Sequence, residues 1–558
     1  MDIIYVSYNS QKWIDMCFGS LLKSDYDLKK VNVWIVDNAS TDRTTESLKQ
    51  FQSSHGASFG SFSILESEQN LGFGKANNLG FQNGKDEIAC FFNIDTEVYP
   101  DTLRKLEEDI SASEDEVGLW ELRQFPYEHP KLYDPLTHEG TWSSGAAFAV
   151  RRSVFTQAGG FDEAIFMYAE DVDLSWRIRS FGYKLKYVPK AVITHYAYQK
   201  ANEVKPAQHV NSVINNLLLR YRFGGPLTIL KGHYRFLRCM SAPEAFPGSK
   251  KLLLLAYLKH FGKIAHFRKK SFLGPHKKGV AQFIGFDYSA NRQGAFYENE
   301  FPDETPLVSV IVRTCGRPKV LRETLLSLRA QTYPNVEVVV VEDGEDCAGK
   351  MIREEFSDLN ILYHATGEKV GRSKAGNTAM ELAHGTYLNF LDDDDLFYAD
   401  HIEVLVKTLE RTKNRAAYAY AFETPVDVES RDPYIYKVHH YLEVYKTKFN
   451  RVELCYHNYI PIQCIMFEKS LFEEYGGLDE SLDALEDWDL WVRYACHTDF
   501  DTVEKTTSVY RVPQKRDVSE KRQKELDDAL LLVREKHKSY VQRVSAYDLA
   551  MAYEKQLN

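Results

Sequence analysis

The feature that most constrains how this 558-residue chain can fold is an internal repeat that keeps register over several blocks. Gly72-Phe73-Gly74-Lys75-Ala76-Asn77-Asn78 matches Gly371-Arg372-Ser373-Lys374-Ala375-Gly376-Asn377 as G-x-x-K-A-x-N. The offset is 377 − 78 = 299, and Asp95 and Asp394 keep it, since 394 − 95 is also 299. A further match pairs Gly159-Gly160-Phe161-Asp162-Glu163 and Glu170-Asp171-Val172-Asp173-Leu174 with Gly476-Gly477-Leu478-Asp479-Glu480 and Glu486-Asp487-Trp488-Asp489-Leu490. One architecture therefore occurs twice, over residues 1–225 and 305–515. Residues 226–304 read as a helical, basic connecting region and 516–558 as a C-terminal helical segment.

Each copy opens with β-α-β grammar. Ile3–Val6 reads as a strand, Trp13–Leu22 as a helix and Val31–Val36 as a strand ending at Asp37-Asn38. Downstream, Leu307–Val312, Val320–Leu328 and Val336–Val341 repeat the order and end at Glu342-Asp343. This predicts an α/β chain of two Rossmann-like domains with mainly parallel sheets, whose ligands bind beyond the carboxyl ends of the strands.

Charge and composition exclude other classes. With 44% hydrophobic and 27% charged residues the chain has the material for several packed cores. The opening Met1-Asp2-Ile3 lacks a basic start, no apolar run approaches the roughly 20 residues that span a bilayer, and eight cysteines lie scattered without metal-site spacing. A cytoplasmic protein with reduced thiols is expected. The net charge of −11 argues against a nucleic-acid partner, yet Lys231–Lys278 holds twelve Lys or Arg and one acid, Glu244. That belt is expected to touch the inner face of the cytoplasmic membrane or an anionic lipid-linked molecule. Equally, Leu254, Leu258, Phe261 and Ala265, on one face of a helix read over Lys250–Lys270, could pack between the two repeats.

The acids carry the chemistry. Tyr387–Leu391 reads as a strand running into Asp392-Asp393-Asp394-Asp395, and Ala89–Phe92 into Asn93-Ile94-Asp95. Clustered carboxylates repel unless a cation is present, and few oxygen ligands plus substrate phosphates suit Mg²⁺ or Mn²⁺. The first copy, with one carboxylate, should hold a weaker or differently composed metal site. In the Glu-Asp blocks, Asp171 and Asp487 at a helix start would sit at a positive helix end, which favours an ionised carboxylate and suits a general base. Helix capping alone is the other reading.

These paired blocks resemble the family 2 glycosyltransferases of GT-A fold over about three quarters of the chain. The resemblance implies inverting transfer of sugars from nucleotide-diphosphate donors, with a metal motif at Asp392-Asp393-Asp394 and, as a variant, Asn93-Ile94-Asp95. It gives Asp171 and Asp487 as catalytic bases and Asp95, Asp392 and Asp394 as ligands of Mn²⁺ or Mg²⁺. His195 falls where some relatives place a metal or diphosphate histidine, an ordinary strand-end histidine being the alternative. Donor contacts are implied for Ser7, Tyr8, Asp37, Asn38, Lys75 and Asn78, and for Thr314, Arg317, Glu342, Asp343, Lys374, Asn377 and Asp393, with surface lysines the alternative for Lys75 and Lys374. Cys315 stands where an aromatic is expected over the base. The first copy is similar to rhamnosyltransferases of bacterial polysaccharides, which implies dTDP-rhamnose; the second is similar to enzymes using UDP-sugars. A lipid-linked or oligosaccharide acceptor follows, with oligomerisation left open. The rival readings are one catalytically silent domain and a non-enzymatic scaffold that binds sugar nucleotides or lipid-linked glycans. A nucleotidyltransferase is disfavoured by the absence of a G-x-x-x-x-G-K-[ST] loop.

Overall fold

Short runs of apolar, largely β-branched residues set the centre of two sheets. A computed structural model describes the chain except residues 198–204, 270–271, 277–278, 286–287, 289–291, 295–304, 430–434, 439–441, 542–544, 546, 548–550 and 552–558. It divides into two units, Met1–Glu298 and Asn299–Asn558.

In the first unit the strands are β1 (Asp2–Ser7), β2 (Asn32–Asp37), β3 (Ser61–Glu66), β4 (Ile88–Asn93), β5 (Thr96–Val98), β6 (Val117–Phe125), β7 (Glu139–Gly140), β8 (Ala147–Arg151) and β9 (Lys184–His195). Their order among the described residues is β3-β2-β1-β4-β8-β6-β9-β5, with β7 on β9. The β3-β2-β1-β4 half is parallel, Val6 facing Val36 and Asn93. The other half is mixed: β8 is antiparallel to β4 and β6, while β6 and β9 are parallel.

The second unit has β10 (Val308–Thr314), β11 (Val336–Glu342), β12 (Ile361–Ala365), β13 (Tyr387–Phe390), β14 (Leu396–Phe397), β15 (Ala416–Glu429), β16 (Ile435–Val438), β17 (Leu442–Tyr445), β18 (Ile465–Glu468) and β19 (Phe500–Pro513). Its order, β12-β11-β10-β13-β18-β15-β19-β14, repeats the first sheet strand for strand, with β16 and β17 added on β15. All seven residues of β10 are buried, as a strand covered on both faces must be. The tandem α/β arrangement expected of two GT-A domains is what the sheets show.

Each unit is closed by a helix after its last long strand. The Pro206–Phe223 helix lays Val213, Ile214 and Leu218 on Val172 and Trp176 of the Glu170–Ser180 helix. In the second unit Val533 of the Arg516–Val541 helix joins the core of Trp488, and His537 meets the Trp488 ring edge-on at 5.0 Å. The same ionic clamp fastens both. Buried Arg222 bridges Asp162 and Asp173, and Arg177 Nε also reaches Asp173 at 2.8 Å. Lys536 bridges Asp479 at 2.6 Å and Asp489 at 2.8 Å, beside Arg493. The shared aspartates of the two acidic motifs are thus partners of one cation.

The helix expected over Lys250–Lys270 is broken. It runs Ser249–His260, gives way to a tight turn at Phe261–Lys263 around Gly262, and resumes at Ile264–Phe267; Lys270 lies outside the described residues. Leu253, His260 and Phe267, seven residues apart, are the side chains buried in the first unit. Leu254, Leu258, Phe261 and Ala265 face outward. Among the described residues no helix is long and apolar enough to cross a membrane.

Removing a cation from a buried pair leaves uncompensated charge, which costs about 3–5 kcal/mol. Arg222→Met should therefore lower the stability of the first unit by about that much. Lys536, a third exposed, should cost the second unit less when changed to Met. Denaturant titration of each variant measures both, and an equal or smaller loss for Arg222→Met would contradict the clamp.

Candidate active sites

Two turns build the side of each candidate site where the resemblance places donor contacts. The loop after β2 or β11 meets the turn that opens the G-x-x-K-A-x-N helix, Phe73–Asn83 or Arg372–Leu382. Gly72 and Gly371 start those helices at φ 80° and 96°, and a Cβ on Gly72 would lie 2.6 Å from the Phe166 carbonyl. This accounts for the shared glycine. Asn38 Oδ1 accepts from Leu71 N at 2.7 Å, and Asp343 Oδ1 from Val370 N at 2.6 Å, so each ties its strand end to its glycine turn. Asp37 accepts from Ser7 Oγ at 3.2 Å and Thr45 Oγ1 at 2.8 Å; Glu342 accepts from Gly316 N at 2.6 Å. Tyr8 stands exposed beside this edge, and Cys315 is exposed in the second unit.

The final asparagine of the motif is explained by packing. Asn78 exchanges two hydrogen bonds of 2.9 Å with the backbone of Phe161, and Asn377 two of 2.8 and 3.0 Å with that of Leu478. Both side chains, expected at the donor, therefore join the G-x-x-K-A-x-N block to the Gly-Gly block. Lys75 is exposed and pairs with Glu163 at 3.5 Å, and Lys374 is exposed.

The acid turns differ between the units. In the first, Asp95 Oδ1 lies 3.6 Å from His195 Nε2, and Asn93 Nδ2 is 3.4 Å from the same nitrogen, whose ring is oriented by Gln124 at 2.9 Å. Burial would raise the Asp95 carboxyl, but the hydrogen bond and charge of His195 hold it below its ordinary value. The buried Oδ1 of Asn93 has no hydrogen-bond partner in the protein. The turn thus brings together a carboxylate and an imidazole beside an unpartnered amide oxygen, donors of the kinds that a hard or borderline cation accepts. Among the described residues no group of three or more His, Cys, Asp or Glu is placed to hold a metal ion.

In the second unit the extra acids are already engaged. Asp392, expected as a metal ligand, gives both oxygens to Arg313, at 2.7 and 2.9 Å, and Arg313 also reaches Glu486 at 2.9 Å. Buried Asp393 is held by Thr314 Oγ1 at 2.7 Å and by Arg317. Asp394, in register with Asp95, meets Arg317 at 3.1 Å and remains partly exposed. The larger cluster therefore supplies no more available carboxylate than the first unit does. Arg313 was detectable in the sequence as the one charge in the apolar strand Val308–Thr314.

Both Glu-Asp pairs start helices, Glu170–Ser180 and Glu486–Ala495, and both follow a non-glycine residue in the left-handed region, Ala169 (φ 67°) and Leu485 (φ 59°). Such a turn costs of order 1 kcal/mol. In the first unit Asn215 Nδ2 steadies it from the closing helix through the carbonyls of Met167 and Tyr168. Asp171 accepts from Gly145 N and Val172 N at 2.8 Å, and Asp487 from Trp488 N at 2.8 Å and Asn458 Nδ2 at 3.2 Å. Burial outweighs the helix end that was expected to keep them ionised. It pushes the Asp171 carboxyl up, and with the charge of Glu486 raises Asp487 to about 7.

In the second unit Asp343, Thr314, Asp394 and Asp487 line one cavity of about 580 Å³. Lys369, Arg372 and Arg522, none identified from the sequence as site residues, line it too. Arg522 comes from the C-terminal helix and hydrogen-bonds Tyr510 Oη, so that helix forms a wall of the site. The cavity contains the strand-end acid Asp343, an acid turn and a buried carboxyl, flanked by cations suited to phosphate.

Comparison with known proteins gives the family. The glycosyl transferase family 2 model matches residues 2–173 and 309–476, one stretch in each unit. An uncharacterized glycosyltransferase of Rickettsia typhi is 29% identical over 190 residues, which are 34% of this chain and 59% of that protein. The glycosyltransferase GlyA of Streptococcus pneumoniae is 39% identical over 104 residues, 18% of this chain and 15% of the relative. Among solved structures, a mannosyltransferase of Pyrobaculum calidifontis in complex with GDP-Man and Mn²⁺ is 17% identical with a TM-score of 0.34, covering 48% of this chain and 83% of its own. The family match in two separate stretches, each on its own sheet, shows that the chain belongs to glycosyltransferase family 2 and carries the family's domain twice.

Proposed function

We propose that the chain is a bifunctional, inverting glycosyltransferase that moves sugars from nucleotide-diphosphate donors onto a growing bacterial surface glycan. The observation that carries this reading is the cavity shared by the donor-edge acid Asp343, the acid turn at Asp394 and the buried carboxyl of Asp487, together with the recurrence of its parts in the first unit. A non-catalytic scaffold would have no use for a buried carboxyl behind a strained turn, made twice.

Asp487, and Asp171 in the first unit, takes the proton of the acceptor hydroxyl. The acceptor oxygen then bonds to the anomeric carbon as the bond from that carbon to the diphosphate oxygen breaks, so configuration inverts and the nucleoside diphosphate leaves. A carboxyl raised toward neutrality is a stronger base once ionised. Asp37 and Glu342 face the nucleoside, and Lys369, Arg372 and Arg522 neutralise the diphosphate. A divalent cation, Mn²⁺ or Mg²⁺, supplies further neutralisation of the leaving group when bound. Asp95, His195 and Asn93 would hold it in the first unit and Asp394 in the second. The donors are dTDP-rhamnose in the first domain and a UDP-sugar in the second; the acceptor is a lipid-linked or oligosaccharide chain.

Replacing a general base typically costs 10²- to 10⁴-fold in rate. Asp171→Asn should abolish one transfer by that factor and Asp487→Asn the other, measured by product analysis with separate acceptors. Loss of both transfers from either single substitution would exclude two independent sites.

Because Asp487 must be ionised and titrates near 7, kcat/KM of the second transfer should rise with pH through about 7 and level off above it. The profile of the Asp171→Asn protein reads this directly, and a flat profile from pH 5.5 to 8.5 would dismiss Asp487 as the base.

Arg317 competes with a cation for Asp394, whereas Asn93, Asp95 and His195 are arranged to accept one. After chelation, the Mn²⁺ concentration giving half-maximal rate should be lower for the first transfer than for the second. The reverse order would mean that the larger acid cluster makes the better metal site after all.

A further inference from the structure

The helices that follow the first closing helix carry two unlike faces. Gly232 and Phe236 of the Pro226–Ser241 helix, and Leu253 and His260 of the Ser249–His260 helix, are buried in the first unit. The opposite faces hold large apolar side chains in the open. On the first of these helices Leu227 (78% exposed), Leu230, Tyr234 and Leu237 recur at intervals of three, four and three residues, which is one stripe of an α-helix. On the second, Leu252, Leu254, Leu255 and Leu258 face out and lead to Phe261 at 52%. Nine of the seventeen exposed large hydrophobic residues among those described fall in these 35 positions, 227–261, so the exposure is a patch and not scatter.

Cations share the patch. Lys231 and Arg238 are exposed on the same outward face of the first helix, Lys251 and Lys259 on that of the second, and Arg268 and Lys269 follow. From 227 to 269 the sole acid is Glu244. A second protein surface would be recognised by mixed charge or by an apolar stripe; apolar side chains interleaved with one sign of charge match a layer whose interior is hydrocarbon and whose surface is anionic. Tyr234 and Phe261 are aromatics of the kind that settle at that boundary. At 16 and 12 residues the helices are shorter than the roughly 20 residues needed to span a bilayer, so they would lie in its surface.

We propose that the first unit docks peripherally on an anionic phospholipid bilayer through the outward faces of the Pro226–Ser241 and Ser249–His260 helices. Leucines enter the acyl boundary while the lysines and arginines meet the headgroup phosphates. None of these outward-facing residues is a candidate site residue of the first unit, and, on the proposed function, a lipid-linked acceptor would be met at the surface where the enzyme sits.

The test is co-sedimentation of the full chain with phosphatidylcholine vesicles and with vesicles that also contain phosphatidylglycerol. Two variants are compared, Leu230→Ser with Leu254→Ser and Leu258→Ser, and Lys231→Glu with Lys251→Glu and Lys259→Glu. Circular dichroism and the donor-hydrolysis rate should match wild type in both. Wild type should bind the anionic vesicles only, less as salt rises, and each triple variant should bind at least roughly tenfold more weakly. Failure of wild type to bind would overturn the proposal, as would retention of binding by either variant. So would a wild-type dimer that the leucine variant converts to monomer without any vesicle binding, which would assign the patch to a second copy of the chain.

Discussion

A cation held between two aspartates, fully buried in the first unit and partly exposed in the second, fixes the geometry of each candidate active site. The Asp of the Gly-Gly block and the second Asp of the Glu-Asp block lie on different elements, and the second, buried in both units, could not be buried unpaired. Arg222 in one unit and Lys536 in the other join them from a helix that follows the last long strand. The helix carrying Asp171 or Asp487 is thereby fastened at its first turn, next to the left-handed residue that aims the carboxyl. The reciprocal bonds of Asn78 and Asn377 extend the same frame to the donor turn. Residues that a motif reading assigns to substrate are in these cases the braces of the site.

The two units solve one electrostatic problem differently. A strand that ends in acids at the ligand edge must be neutralised before substrate arrives. In the second unit Arg313 and Arg317 do this, and Arg313 also links Asp392 to Glu486, coupling the acid turn to the helix of the candidate base. In the first unit a single carboxylate shares its turn with His195 and an amide oxygen that lacks a partner. The duplicated fold therefore does not duplicate the electrostatics of its acid turns, and the number of acids in the motif is a poor guide to the number of carboxylates left without an arginine partner.

The connecting helices illustrate how burial assigns faces. Residues 226–267 pack on the first unit through Phe236, Leu253 and Phe267. The stripe of Leu254, Leu258 and Phe261 looks in the sequence like a packing face, yet a parallel stripe a third of a turn away is the one covered. Helical periodicity identifies candidate stripes; only the surface that a helix meets selects among them.

The sequence by itself determined the tandem α/β plan, the strands that end at Asp37 and Glu342, the placement of Asp171 and Asp487 at helix starts, and the family. These follow from local hydrophobic period, from glycines that must adopt positive φ, and from a repeat whose register survives 299 residues. The tertiary structure alone decided that Asn78 and Asn377 brace backbone, that Asp392 pairs with Arg313, that the carboxyls of Asp171 and Asp487 are raised by burial, and that Arg522 of the C-terminal helix lines the cavity of the second unit. Each of these depends on contacts between residues tens to hundreds of positions apart, and on desolvation, which is a property of the packed interior and is not written in the spacing of any motif.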